Sequence, residues 1–295
     1  MAAVAVAGAA SAQVSITGSL GYGWETSSQG NGASTKGLKV TDGNVKFSAT
    51  EDLGGGMSVA TAMDIQSRGR GTDIKGRDAS ITLVTGFGGF TLGAVEAGNG
   101  IIGLGGAGAP TIGLDGNTVL AGGTDVDLAR YDLAFGNGVA VFASRTDGAT
   151  AALNGVGEGV NPANTFGASY AANGLSAKFD TTKGLLAKRN RMSASYDLSS
   201  AVVGIGYETR KAVSGVGGTD KDTVIGVSVP MGAVNFGLNY GKRKNSTANT
   251  SNKGVDLGVS YALSKRTALY PQMQRVTVGD AEATTTTRFK LKTSF

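Results

Sequence analysis

Apolar and polar residues alternate along this chain with a period of two, from near the N-terminus to the last residue. In the first segment of this kind, one face carries five large apolar residues, namely Val14, Ile16, Leu20, Tyr22 and Trp24. Serine, threonine and glycine fill most of the positions between them. Because successive side chains of a β-strand point to opposite faces, this period predicts strands that have one apolar and one polar face.

The same alternation recurs in sixteen segments, so sixteen strands are predicted. They lie at about 14–25, 38–50, 57–65, 78–85, 89–96, 126–135, 139–146, 163–170, 175–181, 191–197, 201–209, 222–229, 233–242, 253–261, 267–275 and 286–295. Short turns and long loops alternate between them, and the segment 97–125 is the longest connection. An even strand number with short turns at one rim and long loops at the other is typical of a transmembrane antiparallel β-barrel.

The last strand shows most clearly that two different solvents are involved. One face carries Phe289, Leu291 and Phe295, and the other carries Arg288, Lys290 and Lys292. Such a strand suits hydrocarbon on one side and water on the other. Because an unpaired backbone amide in hydrocarbon costs several kcal/mol, the sheet must close on itself. We therefore predict an all-β fold in which the first strand pairs with the sixteenth.

Composition excludes most kinds of catalytic site. The 295 residues include 49 Gly but no Cys and no His. The commonest general base, the commonest metal ligand and the thiol nucleophile are thus missing, so we predict no enzyme, no metal site and no cofactor. No run of 18 apolar residues occurs, which argues against a membrane-spanning helix. Lys and Arg number 27 against 22 Asp and Glu, but the charges are scattered, which argues against a nucleic-acid partner.

The first twelve residues differ from the rest of the chain. Residues 1–12 are nearly all Ala, Val and Gly, and they end in Ala10, Ser11 and Ala12. An apolar stretch followed by a small-x-small site is typical of the end of a secretory signal peptide. We expect residues 1–12 to be the remnant of such a signal and 13–295 to form a single barrel domain.

Three places in the chain resemble one known family. The turn EDLGGG at 51–56 resembles the first periplasmic turn of the Gram-negative general diffusion porins, and 254–267, GVDLGVSYALSKRT, resembles their penultimate hairpin. The terminal Phe295 is also similar to the family's C-terminal signature. The resemblance implies a homotrimer in the bacterial outer membrane, in contact with the lipid bilayer and lipopolysaccharide. It also implies a passive aqueous path for small hydrophilic solutes and ions, narrowed by a third external loop that folds into the lumen.

The resemblance also assigns residues to the narrowest part of the pore. On the loop side, within or beside 97–125, the acidic candidates are Glu96, Asp115 and Asp125. On the wall side, the basic candidates are Lys46, Arg130, Arg68, Arg70 and Arg77. Further charges expected in the lumen are Asp64, Asp132, Lys178, Arg191, Arg288 and Lys290. The family's usual Pro-Glu-Phe-Gly-Gly type of motif is absent from the loop. Because the loop has few acidic groups and the chain has a surplus of cations, we predict a weak preference for anions.

One other function stays open at this point. The chain could be an outer-membrane interaction barrel or adhesin whose lumen is plugged by the loop, a state that single-channel conductance would distinguish from an open pore.

Residues 98–103, GNGIIG, fit the GxGxxG fingerprint of dinucleotide-binding folds. That fingerprint requires a following helix within a βαβ unit, and the Gly-rich residues after it form helices poorly. We therefore set a dinucleotide site aside.

Overall fold

A computed structural model gives the conformation of most of the chain. It describes residues 13–67, 74–97, 100–115, 119–122, 124–148, 162–184, 187–213, 218–246 and 249–295. The predicted leader at 1–12 and the candidates Arg68 and Arg70 lie outside the described residues.

Sixteen strands form one closed antiparallel sheet in which β1 pairs with β16. The strands are β1 Gln13–Gln29, β2 Ser34–Gly54, β3 Met57–Gln66, β4 Lys75–Thr85, β5 Gly88–Ala97, β6 Thr124–Phe135, β7 Val139–Gly148, β8 Ala163–Ala172, β9 Leu175–Gly184, β10 Ala187–Asp197, β11 Val202–Ala212, β12 Thr219–Met231, β13 Val234–Asn245, β14 Thr250–Ala262, β15 Thr267–Thr277 and β16 Thr284–Ser294. A short helix, α1 Ile102–Gly105, lies between β5 and β6. The predicted fold class and strand number are confirmed.

Several strands extend beyond their predicted ends. β2 was expected at 38–50 but spans Ser34–Gly54, and its N-terminal residues pair with the end of β1. These extra residues are mostly polar, so the apolar alternation that marks a strand in contact with lipid is missing there although the backbone pairing continues. The turn that follows is correspondingly tight, because Gly54, Gly55 and Gly56 all adopt positive φ angles that favour glycine.

The two ends of the chain close the barrel. β1 and β16 pair in continuous register from Ser19 opposite Ser294 to Gln29 opposite Thr284. At the terminus, the Gly18 N–H donates to the Phe295 carbonyl at 3.0 Å, and the Phe295 N–H donates to the Gly18 carbonyl at 3.1 Å. Both sheet edges are thereby paired, as hydrocarbon surroundings require.

The two faces of the sheet have opposite chemistry. Outward-facing residues in the middle of the strands are mostly apolar and exposed, as Phe166 at 60% and Ile225 at 52% illustrate. Inward-facing residues include the buried carboxylates of Asp180, Asp222 and Asp256. Within the described part of the chain, no helix is long and apolar enough to cross a membrane. The barrel is therefore organised for lipid outside and polar contents inside.

Replacing Ile81 with lysine is expected to destabilise the barrel by about 2–4 kcal/mol, the cost of a cation on the lipid face near the bilayer centre. Ile81 lies near the middle of β4 and is 47% exposed on the outer face. Its neighbour Ser80 faces the interior, so Ser80→Lys is the matched control and should change stability little. Denaturant unfolding in lipid vesicles measures both variants, and an equal loss in the two would contradict the assignment of the faces.

Candidate functional site

The long connection between β5 and β6 is here called the pore loop (residues 98–123), and its described residues lie in the interior of the barrel. Four of its apolar side chains form a buried cluster with two inward-facing valines of the wall, and the six residues are Ile101, Leu114, Val119, Leu120, Val224 and Val276. Val224 belongs to β12 and Val276 to β15, so the loop lies along this part of the wall. Removal of these side chains from water holds the loop against the wall.

Asp256 of β14 is the main polar anchor of the pore loop. Its carboxylate is fully buried and accepts the backbone N–H groups of Ile112 at 3.2 Å and Gly113 at 2.5 Å. On β15, Gln274 donates to the Gly113 carbonyl and Gln272 donates to two carbonyl oxygens of the loop, at 2.9 and 3.0 Å. The two bonds to the Asp256 carboxylate are charge-assisted, and such bonds are about twice as strong as neutral ones.

Two further contacts fix the loop at other points. The Ala121 N–H donates to the buried Asp222 carboxylate of β12 at 3.0 Å, and Arg243 of β13 donates to the same carboxylate at 2.7 Å. Asn239 of β13 donates its side-chain amide to the Thr111 hydroxyl at 3.0 Å. The loop is thus bonded to the wall from β12 to β15.

Inward-facing glycines make room for this contact. Loop atoms occupy the space that a side chain would need at seven wall positions, namely Gly204, Gly206, Gly226, Gly237, Gly241, Gly254 and Gly258. A methyl group on Gly226 would lie 2.5 Å from Gly106, and one on Gly206 would lie 2.7 Å from the Ile101 carbonyl oxygen. Both distances are shorter than van der Waals contact. Glycine is therefore required at these inward-facing positions, because the backbone of the loop approaches the strands closely.

A cluster of charges lies on the strands next to the chain ends. Asp42 of β2 accepts hydrogen bonds from Lys290 at 2.9 Å and Lys292 at 3.0 Å, both on β16. β1 runs between these strands, and its inward-facing residues there are Gly21 and Gly23. Since neither has a side chain, Asp42 can reach across β1 to both lysines.

A second ion network adjoins the first. Glu25 of β1 pairs with Lys39 of β2 at 2.8 Å and with Arg288 of β16 at 2.6 Å. As in the network of Asp42, two cations share one carboxylate. The wall formed by β16, β1 and β2 therefore carries an excess of positive charge.

Two further basic side chains lie beside an aromatic ring in the lumen. The guanidinium of Arg130 lies 4.0 Å and the Lys178 ammonium 5.3 Å from the centre of the Phe142 ring. Arg130 also pairs with Asp132 at 2.7 Å. A ring face attracts cations, so Phe142 stabilises two positive groups that would otherwise repel each other.

Five charged residues lie at directly opposite positions on five neighbouring strands, and we call this row the charge ladder. In order from β9 to β13, its members are Asp180, Arg191, Glu208, Asp222 and Arg243. The carboxylates are the more buried members, as the pair of Asp180 at 1% and Arg191 at 13% side-chain exposure shows. An ion in the lumen therefore meets the cations of the ladder more readily than its carboxylates.

Three of the residues assigned to the constriction lie elsewhere. Glu96 of β5 and Asp125 of β6 are directly opposite each other at outward-facing positions, and Glu96 pairs with Arg77 of β4. Leu92 precedes Glu96 on the same outer face of β5. The structure thus corrects the assignment of Glu96, Asp125 and Arg77 to the pore. The remaining loop-side candidate, Asp115, is the sole charged residue of the pore loop sequence.

The other predicted residues occupy inward-facing positions. Lys46 of β2 is exposed there and lies opposite Asp64 of β3, and Arg130 lies on the inner face of β6. The predicted lumen charges also take inward-facing positions in the register, namely Asp64, Asp132, Lys178, Arg191, Arg288 and Lys290.

Sequence reasoning did not identify the residues that hold the loop. Gln272, Gln274 and Asp222 were not singled out, and Asp256 carried no particular role. One signal was available, because glycine recurs at inward-facing positions of β11 to β14. Glycine inside a strand often marks the close approach of another backbone segment.

Comparison with known proteins identifies the class of barrel. A sequence model described as Gram-negative porin matches residues 1–281. A search among curated proteins finds no match.

Solved structures of the same fold include an anion-selective porin from Comamonas acidovorans, with 18% identity and a TM-score of 0.79, covering 97% of this chain and 100% of that one. OmpT of Vibrio cholerae, in its trimer form, has 14% identity and a TM-score of 0.70, covering 96% and 99% of the two chains. A mutant of Rh. blastica porin has 12% identity and a TM-score of 0.70, covering 96% and 100%. At such identities these structures establish the likeness of fold.

Proposed function

This chain belongs to the Gram-negative porin family and forms a passive aqueous channel in the bacterial outer membrane, and we propose that this channel prefers anions weakly. The charges that an ion meets along the lumen decide this preference. Fields from fixed charges act strongly in a narrow pore because the surrounding wall and lipid have a low dielectric constant.

One observation carries the proposal: the docked pore loop covers wall carboxylates and brings almost no negative charge of its own. Asp222 and Asp256 are 2% and 0% exposed, and both accept backbone N–H groups of the loop. Asp115 is the one charge in the loop sequence. On the adjoining wall, Lys46 is exposed, and the networks on β16, β1 and β2 hold two cations for each carboxylate. The fold shared with an anion-selective porin agrees with this proposal.

We further propose that the protein is a homotrimer without catalytic activity, that its substrates are small hydrophilic solutes and ions, and that residues 1–12 are the remnant of a secretory signal. The trimer form of the similar Vibrio cholerae protein supports the first point. Lipopolysaccharide is the lipid partner proposed for the outer leaflet.

In planar bilayers with a potassium chloride gradient, the zero-current potential is expected to shift toward the chloride equilibrium potential. A permeability ratio of chloride to potassium of about 2–5 corresponds to a free-energy difference of roughly 0.4–1 kcal/mol, the size expected for screened charges several ångströms from the ion path. Strong selectivity for potassium would overturn the charge assignment.

The same recording separates the channel from a plugged interaction barrel. An open pore gives stable conductance steps at moderate voltage, whereas a plugged lumen gives none. The pore loop supports the first outcome, because its described residues contact one side of the wall, from β10 to β15.

A further inference from the structure

Eight cations lie on the outer face of the barrel near the long-loop ends of β9 to β15. We call them the cationic belt, and they are Lys183, Lys188, Lys211, Lys221, Lys242, Lys244, Lys253 and Arg275. Each shares its strand face with exposed apolar residues, for example Phe179, Met192 and Met273. The belt therefore points away from the lumen.

The belt places like charges directly opposite one another. The register pairs Lys188 with both Lys183 and Lys211. It also pairs Lys221 with Lys244, and Lys242 with Lys253. Like charges opposite each other in a sheet are destabilising. An arrangement repeated over several strands indicates an anion that lies between the lysines.

No such anion comes from the described part of the chain. The outward-facing positions of β9 to β15 carry no Asp or Glu. None of the eight cations of the belt takes part in an ion pair among the described residues. The partner of the belt must therefore come from outside this set of residues.

The depth of the belt matches a layer of lipid headgroups. On β9, Phe179 is followed on the same face by Thr181 and then Lys183. On β13, Tyr240 directly precedes Lys242 on the outer face. Aromatic side chains gather at the membrane interface, and a step of two strand residues rises about 6.6 Å. The ammonium groups thus lie just above the apolar band, where phosphates of the outer leaflet are found.

The neighbouring arc of the same rim is mostly acidic. Glu96, Asp125, Asp127 and Asp147 occupy outward-facing positions of β5 to β7. Two outward-facing cations of this part of the rim, Arg77 and Arg145, pair with Glu96 and Asp147, so the positive charge without an acidic partner is concentrated on the side of the belt. A confined cationic surface indicates a specific anionic ligand more strongly than a general preference for basic residues at the rim.

We propose that the cationic belt binds a lipid of the outer leaflet whose headgroup carries two or more phosphates. This inference rests on the outer-membrane lipid partner given under Proposed function and names the surface that holds it. A phosphate seated between Lys183 and Lys188 or between Lys188 and Lys211 accepts hydrogen bonds from both ammonium groups and removes their repulsion. The acyl chains of that lipid lie on the exposed apolar residues below, which include Phe179, Met192 and Ile205.

The test uses the detergent-purified, delipidated protein and diphosphorylated lipid A as the probe. Native mass spectrometry counts the lipid molecules retained at increasing lipid concentration. In the variant Lys183→Gln, Lys188→Gln, Lys211→Gln, we expect apparent lipid affinity to fall on the order of 100-fold, since each basic residue near an anionic membrane surface contributes about fivefold. The wild-type protein should bind dephosphorylated lipid A as weakly as this variant binds the intact lipid.

A matched variant has the same change in charge elsewhere. Lys36→Gln, Lys265→Gln, Arg266→Gln alters three cations outside the belt, two of them in the β14–β15 turn at the opposite rim. It should retain wild-type affinity, as should Lys183→Arg, Lys188→Arg, Lys211→Arg. Unchanged lipid affinity in the triple glutamine variant, or an equal loss in the matched variant, would overturn the proposal.

Single-channel conductance of every variant is recorded in parallel. It shows that each barrel is folded and keeps the lipid inference separate from the channel function. Should the triple glutamine variant fail to fold, Lys242→Gln, Lys253→Gln removes a separate pair of the belt and is expected to weaken lipid binding at least tenfold.

Discussion

Replacing Asp256 with alanine is expected to release the pore loop, so that the single conductance level of the channel gives way to frequent transitions between several levels. Asp256 is fully buried and accepts the N–H groups of Ile112 and Gly113. Each buried donor left without a partner costs about 1–3 kcal/mol, which gives about 2–6 kcal/mol for the two. Such a loss raises the undocked population of the loop at least ~30-fold. Single-channel recording in planar bilayers measures the change.

Two further variants test whether the effect belongs to the loop. Asp256→Asn keeps one acceptor oxygen, so its channels should show an intermediate frequency of transitions. Glu25→Ala removes an inward-facing carboxylate that pairs with Lys39 and Arg288 rather than with the described residues of the loop. It should keep a single steady level. A steady wild-type level in Asp256→Ala would mean that the apolar cluster around Leu114 suffices to hold the loop.

The strands could be predicted from sequence because each one meets two solvents. Residues such as Ile205 and Leu257 face lipid, whereas their neighbours in sequence face the lumen. Apolar residues therefore recur with a period of two along every strand that crosses the bilayer. The same reasoning explains where the prediction fell short. The ends of β2 at Ser34–Gly54 lie where both faces are polar, and the pattern there no longer distinguishes strand from loop.

The anchoring of the pore loop could not be predicted in the same way. It depends on contacts between residues far apart in sequence, such as Gln272 with the Pro110 carbonyl. Nothing near Gln272 in the sequence indicates that contact. The glycines of the wall were an indirect signal, since Gly237 and Gly258 lie at inward-facing positions where a channel could equally carry polar side chains. Their partner could be named only once the path of the loop was known.

The faces of Glu96 and Asp125 could have been derived from the sequence. Phe90, Leu92 and Glu96 are separated by even numbers of residues, so they share the outer face of β5. Assigning Glu96 to the pore followed the family resemblance, in which acidic residues belong to the loop. The strand period is the stronger constraint, because one step along a strand moves a side chain to the other face.

Replacing Lys46 with glutamate is expected to change the chloride to potassium permeability ratio roughly five- to tenfold in favour of potassium. A unit charge about 7 Å from an ion in water contributes about 0.6 kcal/mol, and salt near 0.1 M reduces this to about 0.3 kcal/mol. Charge reversal changes the energy of the anion and of the cation by about 0.6 kcal/mol each, in opposite directions. Together they give about 1.2 kcal/mol in the ratio. Lys46 suits this test because its side chain is exposed on the inner face of β2.

The zero-current potential in a salt gradient measures the ratio, and two variants show where the effect comes from. Lys46→Gln removes the charge without reversing it, so it should give half the change in free energy. Lys265→Glu makes the same reversal in the turn between β14 and β15, outside the lumen, and should leave the potential near its wild-type value. If Lys46→Glu and Lys265→Glu shifted the potential equally, the preference would arise from charge at the rim. The charges of the lumen would then not be the source of the ion preference.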